Sequence, residues 1–251
     1  MGNEMLLLLS GAASIAFVHT LLGPDHYLPF VAVGKARGWS VPKTGLVTLL
    51  CGLGHSVGSI VLGLIGVFAG RALADLVEIE AFRGDLAAWS LLAFGLVYFA
   101  WGMKKTVRGK KHTHWHTHAD GTRHRHEHDH WTQHMHVHSS GEGAALQETK
   151  GLRALRMRIF APWALFIVFV LGPCEPLIPL MMVPAAQGNI AGVMLTVAVF
   201  TAVTVLTMLV VVLLSSWGLR SVSFGGVEKY SHVIAGGTIS LCAFGMLAFG
   251  L

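Results

Sequence analysis

Charge is what this sequence has least of. Only 12% of its 251 residues are Asp, Glu, Lys or Arg, about half the share of a soluble chain. By contrast 53% are hydrophobic, and mean hydropathy is +0.62. So little charge cannot cover a soluble fold, and the composition points to an integral membrane protein. Cysteine is scarce too: Cys51, Cys174 and Cys242 each sit inside an apolar run, which excludes a disulfide-stapled secreted domain. The net charge of +5 comes from a few polar loops beside long uncharged stretches. That pattern reports orientation in a bilayer rather than a nucleic-acid partner. No Gly-x4-Gly-Lys-Ser/Thr loop is present, so no ATP-driven step is expected, and nothing marks the chain as an enzyme.

Apolar sequence is what the chain has in quantity. Runs of about 20 apolar residues, enough to cross a hydrocarbon core, recur at 5–34, 45–70, 86–103, 160–187, 190–217 and 232–251. The first holds no Lys or Arg over 30 residues. As one straight helix it would be about 45 Å long, against a core of about 30 Å. It must tilt or break, and Gly23-Pro24 supplies a break. The start does not read as a cleavable signal, because Glu4 precedes Leu6 with no Lys or Arg. Sixteen of the eighteen Lys and Arg fall in the loops after runs one, three and five, leaving Arg71 and Arg83 for the other side. The positive-inside rule then puts those three loops in the cytoplasm and both termini outside the cell membrane.

Two halves share a pattern. Run one carries Gly23-Pro24-Asp25-His26-Tyr27-Leu28, and run four carries Gly172-Pro173-Cys174-Glu175-Pro176-Leu177. An odd number of spans per half inverts the second half, and matched broken helices in inverted halves point to a transporter's binding site. The expected fold is therefore all-α, with six transmembrane helices as two inverted three-helix repeats, helices one and four broken. Residues 1–103 form the first repeat, 104–159 a cytoplasmic loop without regular structure, and 160–251 the second repeat.

Ionisable side chains inside those runs are expensive and need a reason. A charged Asp at the bilayer centre costs at least about 2.5–3.5 kcal/mol, so Asp25 needs a partner or a wet cavity. His19 stands seven positions before His26, close to two helical turns, which places both on one side. His55 adds an imidazole from run two. There, Gly54 and Gly58 have the small-xxx-small spacing that admits another helix. Glu175 supplies a second carboxylate beside the Cys174 thiol. Imidazoles with carboxylates suit Ni, Co, Zn or Fe rather than Mg or Ca. The same groups also suit a proton relay, which can accompany metal binding. Thr201, Thr204 and Thr207 recur at helical spacing; bonding back to the preceding turn accounts for them, and a pathway lining is the alternative. His232 opens run six with an interfacial role, and the methionines read as packing.

The loop 104–159 is histidine-rich. His112, His114, His116, His118, His124, His126, His128, His130, His134, His136 and His138 mostly alternate with other residues, among them Asp120, Glu127 and Asp129. Alternation does not fit a helix face, and the Gly, Thr and charge content argues against metal-free order. Imidazoles at this density chelate transition-metal cations. Residues 152–158 then form a basic amphipathic segment suited to cytoplasmic headgroups.

Three segments carry a resemblance: His19-Thr-Leu-Leu-Gly-Pro-Asp25-His26, Gly-Leu-Gly-His55-Ser, and Leu-Gly-Pro-Cys174-Glu175-Pro. Together they resemble the UreH-like membrane proteins, relatives of nickel/cobalt permeases and sulfite exporters. The nickel/cobalt permeases proper have four residues between His and Asp-His; here there are five. The long His-rich loop is similar to that of nickel/cobalt efflux proteins. The resemblance implies that His19, Asp25, His26 and His55 line a metal pathway. Cys174 and Glu175 join them on the repeat pattern alone.

The expected function is a secondary transporter of divalent transition-metal cations, Ni2+ or Co2+ above all, in the direction of efflux. No permanent cofactor is expected. The partners are the bilayer, the metal ion and a coupling ion such as H+. Export of sulfite or a similar anion is the alternative, though run centres lack the basic residues an anion site prefers. A membrane thiol-disulfide relay at Cys174 is the remaining one, and the position matching Cys174 in run one is an aspartate.

Overall fold

In a medium without water only helices and closed barrels satisfy their own backbone hydrogen bonds, and this chain takes the helical solution. A computed structural model describes residues 2–69, 73–108, 112–117, 123–128, 161–220 and 225–249. Its helices are α1 (Asn3–Leu22), α2 (Leu28–Ala36), α3 (Val41–Phe68), α4 (Leu73–Arg108), α5 (Ala161–Leu171), α6 (Leu177–Ala186), α7 (Ile190–Arg220) and α8 (Ser231–Phe249). Among the described residues five helices are long and apolar enough to cross a membrane: α1, α3, α4, α7 and the stretch Glu228–Phe249 that contains α8. Their outward surfaces are apolar, with Leu7 75%, Phe68 78% and Leu241 72% exposed. This is the exterior of a membrane-embedded protein.

Five such helices stand where the sequence pattern leads one to expect six. The stretch 160–187 is divided at Gly172-Pro173 into α5 and α6, each too short to cross alone. The first run divides in the same way: α1 stops at Leu22, a 3-10 turn takes Pro24–His26, and α2 begins at Leu28. At each break the glycine amide makes the last helical bond, Gly23 N–H to His19 O (3.0 Å) and Gly172 N–H to Val168 O (3.0 Å). The proline that follows has no amide hydrogen to continue the helix.

α4 departs from expectation at its start. The apolar window opens at Leu86, but the helix begins at Leu73 and takes in Glu80 and Arg83. Charge ends a hydropathy window without ending a helix, because Glu and Arg are good helix formers. Arg83, expected in an outer loop, is therefore a helical residue packed against α3 and α5.

Glycines set the closest helix contact, between α4 and α8. A Cβ on Gly95 would lie 2.7 Å from the Ser240 amide nitrogen, and one on Gly236 would strike the Phe99 backbone. Two apolar clusters fill the interior, one around Phe30, Leu165, Phe169 and Ile239, the other around Ala16, Met181 and Phe200. Along α3, Cys51 belongs to the first, and Gly63 abuts Met181 of the second. His55 lies between them.

Outside the helical part, His112–Thr117 and Arg123–His128 pair as antiparallel strands β1 and β2. The register sets His112 opposite His128, His114 opposite His126 and His116 opposite His124. An alternating sequence has the two-residue period of a strand, which gives a physical reason for regular backbone in a stretch whose composition argues against order. His118, His130, His134, His136, His138 and the basic segment 152–158 lie outside the described residues, as does the rest of 109–160.

Candidate metal centre

Both breaks border one site. The first presents His19, at the end of α1, together with Asp25 and His26 of the 3-10 turn. The second presents the backbone of 169–175. α3 carries His55 between them. The rings of His19 and His26 meet edge to face at 4.9 Å between centroids, and those of His26 and His55 at 5.1 Å. One nitrogen from each of the three lies within 4.8 Å of the others. Nitrogens sharing an ion at about 2.0–2.1 Å stand roughly 3.4 Å apart, so a bound ion would draw these rings closer together. The seven-residue spacing of His19 and His26 does bring them together, but through the turn rather than along one helix face.

Hydrogen bonding sets what these rings offer. His26 Nδ1–H donates to Asp25 Oδ1 at 3.1 Å and to Gly23 O at 3.2 Å. His55 Nδ1–H donates to Phe169 O at 3.3 Å. Every partner is an acceptor, so in the neutral rings the hydrogen is on Nδ1 and the lone pair on Nε2. The Nε2 atoms of His19, His26 and His55 are all buried without a hydrogen-bond partner. A buried polar atom left unpaired costs about 1–3 kcal/mol, and such groups in a native fold call for an explanation. A carboxylate or carbonyl on the far nitrogen is the usual outer support of a metal-binding histidine.

Space is reserved for this arrangement. A Cβ on Gly23 would lie 2.6 Å from His26 Nδ1 and 2.8 Å from Asp25 Oδ1. One on Gly172 would lie 3.1 Å from His55 Nδ1. The small-residue spacing in α3 likewise admits α5: a Cβ on Gly54 would stand 2.8 Å from Val170 Cγ2.

A cavity of about 440 Å3 opens over the three imidazoles and is also lined by Asp25, Asp85 and Glu175. Asp85 and Glu175 are exposed. An acidic opening above a nitrogen-lined floor favours a cation. Cys174 is elsewhere. It is fully buried among Ala16, Leu177, Met181 and Phe200, so its chain neighbour Glu175 reaches the cavity and it does not.

No family model, no curated protein and no solved structure matches this chain. The site stands on its own geometry.

Further polar residues beside the site are ones that hydropathy passes over. Arg83 Nη1–H donates to Glu80 Oε1 at 2.6 Å, and Ser59 Oγ–H donates to Glu80 Oε2 at 3.2 Å. Arg83 Nη2–H reaches Val170 O at 3.2 Å and Gly172 O at 3.4 Å, while Cys174 N–H donates to Ser59 Oγ at 2.8 Å. The available sequence signals were the opposite charges three residues apart and Ser59 one turn beyond His55.

The other polar groups in the helices have separate tasks. Thr207 Oγ1–H bonds back to Val203 O at 2.8 Å. Thr201 and Thr204, expected to do the same, leave their Oγ1 atoms without a partner. His232 joins a different group, with Tyr98 Oη 2.9 Å from Nδ1 and Lys105 Nζ donating to Nε2 at 2.9 Å. Its ring nitrogens are both engaged, so it has no lone pair to give a metal.

Proposed function

We propose that this chain is a secondary permease for a divalent transition-metal cation, with Ni2+ or Co2+ as cargo and efflux as its direction. The observation that carries the reading is the trio His19, His26 and His55, which bring one ring nitrogen each within 4.8 Å of the others and whose Nε2 atoms are all buried without a hydrogen-bond partner. Three imidazole nitrogens with the Asp25 carboxylate beside them form a borderline donor set that prefers Ni, Co or Zn to Mg or Ca. The cation exchanges its water for these ligands stepwise, Asp25 offsets part of its charge, and Asp85 and Glu175 draw it to the opening. Protons displaced or returned as ligands change partners provide a natural coupling ion.

The wider architecture belongs to the same proposal. The matched breaks at Gly23-Pro24 and Gly172-Pro173 support two inverted halves, with α5 and α6 together making a sixth, broken span. The distribution of Lys and Arg puts the His-rich segment in the cytoplasm and the termini outside an inner membrane. There the segment gathers metal ahead of export, so its loss lowers capture without abolishing transport.

Arg83 is the interior cation an anion exporter needs, and it is already bound to Glu80 and two carbonyls. Against a thiol relay, Cys174 and Cys51 lie in different apolar clusters.

Nickel and cobalt flux into proteoliposomes tests the reading, with wild type beside His55→Ala and a variant lacking residues 112–138. Flux that is lost in His55→Ala and persists at a reduced rate without the loop is the expected outcome. Absence of metal flux from folded wild-type protein contradicts it and turns the enquiry to sulfite.

A further inference from the structure

The break between α5 and α6 leaves backbone groups that no helix satisfies, and side chains from α3 and α4 take up three of them. Phe169 O, which already accepts from Gly172 N–H at 3.1 Å, also accepts from His55 Nδ1–H. Val170 O and Gly172 O accept from Arg83 Nη2–H, and Cys174 N–H donates to Ser59 Oγ. Carbonyls at a helix C-terminus that lack intrahelical partners must find others, and a guanidinium carries five donors in a rigid planar fork. Arg83 is itself fixed by Glu80, whose second oxygen holds Ser59, one turn from His55 on the same helix. The packing leaves room for this group: a Cβ on Gly58 would strike the Arg83 guanidinium and lie 3.0 Å from Val170 O.

The consequence reaches the metal site through a single carbonyl. Phe169 O is the acceptor that keeps the His55 hydrogen on Nδ1 and leaves Nε2 free. If the end of α5 turned, that carbonyl would leave His55, and the hydrogen bond that sets the ring's tautomer would be lost. Arg83 grips the next carbonyl in the chain and the one two beyond it, on either side of Leu171.

We infer that Arg83, braced by Glu80, is a positioning residue for the metal site: by clamping Val170 O and Gly172 O it keeps Phe169 O aimed at His55, and so fixes the His55 Nε2 lone pair toward the cation. The assignment rests on the metal reading above. Arg83 does not touch the cation; it acts through the α5 carbonyls and His55. Lysine in its place retains the charge but not the planar fork that spans a carboxylate and two carbonyls.

Cobalt binding to the full-length protein in detergent tests this. The eleven histidines at 112–138 are replaced by asparagine so that Co2+ reports the intramembrane site, and binding is followed by the visible absorption of the bound ion. Outer-support substitutions at metal sites typically cost about 10–100-fold in affinity. Arg83→Met is therefore expected to weaken Co2+ by that factor and to change the shape and intensity of the visible band. Arg83→Lys recovers only part of the loss. His55→Ala removes the band. Wild-type affinity and spectrum in both Arg83 variants overturn the positioning role while leaving the metal reading intact. Full recovery by Arg83→Lys also overturns it, because a plain ion pair with Glu80 would then suffice. No cobalt band in the parent protein, or a band unaffected by His55→Ala, defeats the metal reading itself. If Arg83→Met does not yield folded, monodisperse protein, Arg83→Lys decides the matter: a wild-type affinity and band overturn the role, and a weakened, altered band upholds it.

Discussion

A carboxylate on one nitrogen of an imidazole makes the other nitrogen a better donor, and Asp25 stands in that relation to His26 at 3.1 Å. Asp25→Asn keeps an acceptor oxygen near Nδ1 and removes the charge. It is expected to lower metal affinity by about 10-fold or more while leaving the thermal melting of the metal-free protein close to wild type. Cys174→Ser should show the reverse. The thiol is enclosed by aliphatic and aromatic groups, and burying a hydroxyl there costs about 1–3 kcal/mol without touching the imidazoles. Cobalt titration beside melting in detergent separates the two, and a Cys174→Ser protein that loses metal binding with unchanged melting contradicts the placement of that thiol. At this scale the sequence marked His19, Asp25, His26 and His55 as costly intramembrane groups, and those four converge. It could not place Cys174, because chain adjacency to Glu175 says nothing about which way each side chain turns after a proline.

Helix ends show what hydropathy reads and what it misses. Gly-Pro pairs end α1 and α5 through the missing proline amide, a local effect legible in the sequence. The start of α4 was not legible, since Glu80 and Arg83 look like loop residues until their partners on α3 and α5 are known. Local spacing does not reveal that Thr201 and Thr204 lack a back-bond. The α4–α8 seam depends on tertiary approach as well. Gly236 lies against the Phe99 backbone with no room for a Cβ, so Gly236→Val is expected to separate these helices. Overpacking of this kind typically costs about 1–3 kcal/mol, and melting in detergent should fall. A melting temperature equal to wild type would mean that the seam is looser than the structure shows.

At the scale of the whole molecule, the shortage of charge made the membrane class readable at once. Two breaks, one from each half of the chain, frame a single cavity, and α3 supplies the third imidazole between them. That convergence needs helices distant in sequence to pack together, which is why composition and spacing identified the donors without fixing their partners. The acidic opening at Asp85 and Glu175, the nitrogen floor and the Arg83 clamp form one continuous region. In the described part of the His-rich segment, histidines pair across two antiparallel strands. Among the described residues, burial sets His19, His26 and His55, strand register sets the six histidines of β1 and β2, and Tyr98 with Lys105 holds His232.

The central claim is that His19, His26 and His55 bind the cation through nitrogen. X-ray absorption at the nickel edge, on full-length protein whose eleven loop histidines are replaced, measures this directly. The account predicts about three imidazole nitrogens near 2.0–2.1 Å, with their outer-ring scattering, completed by oxygen. A spectrum of oxygen neighbours alone, with no imidazole scattering, would contradict it.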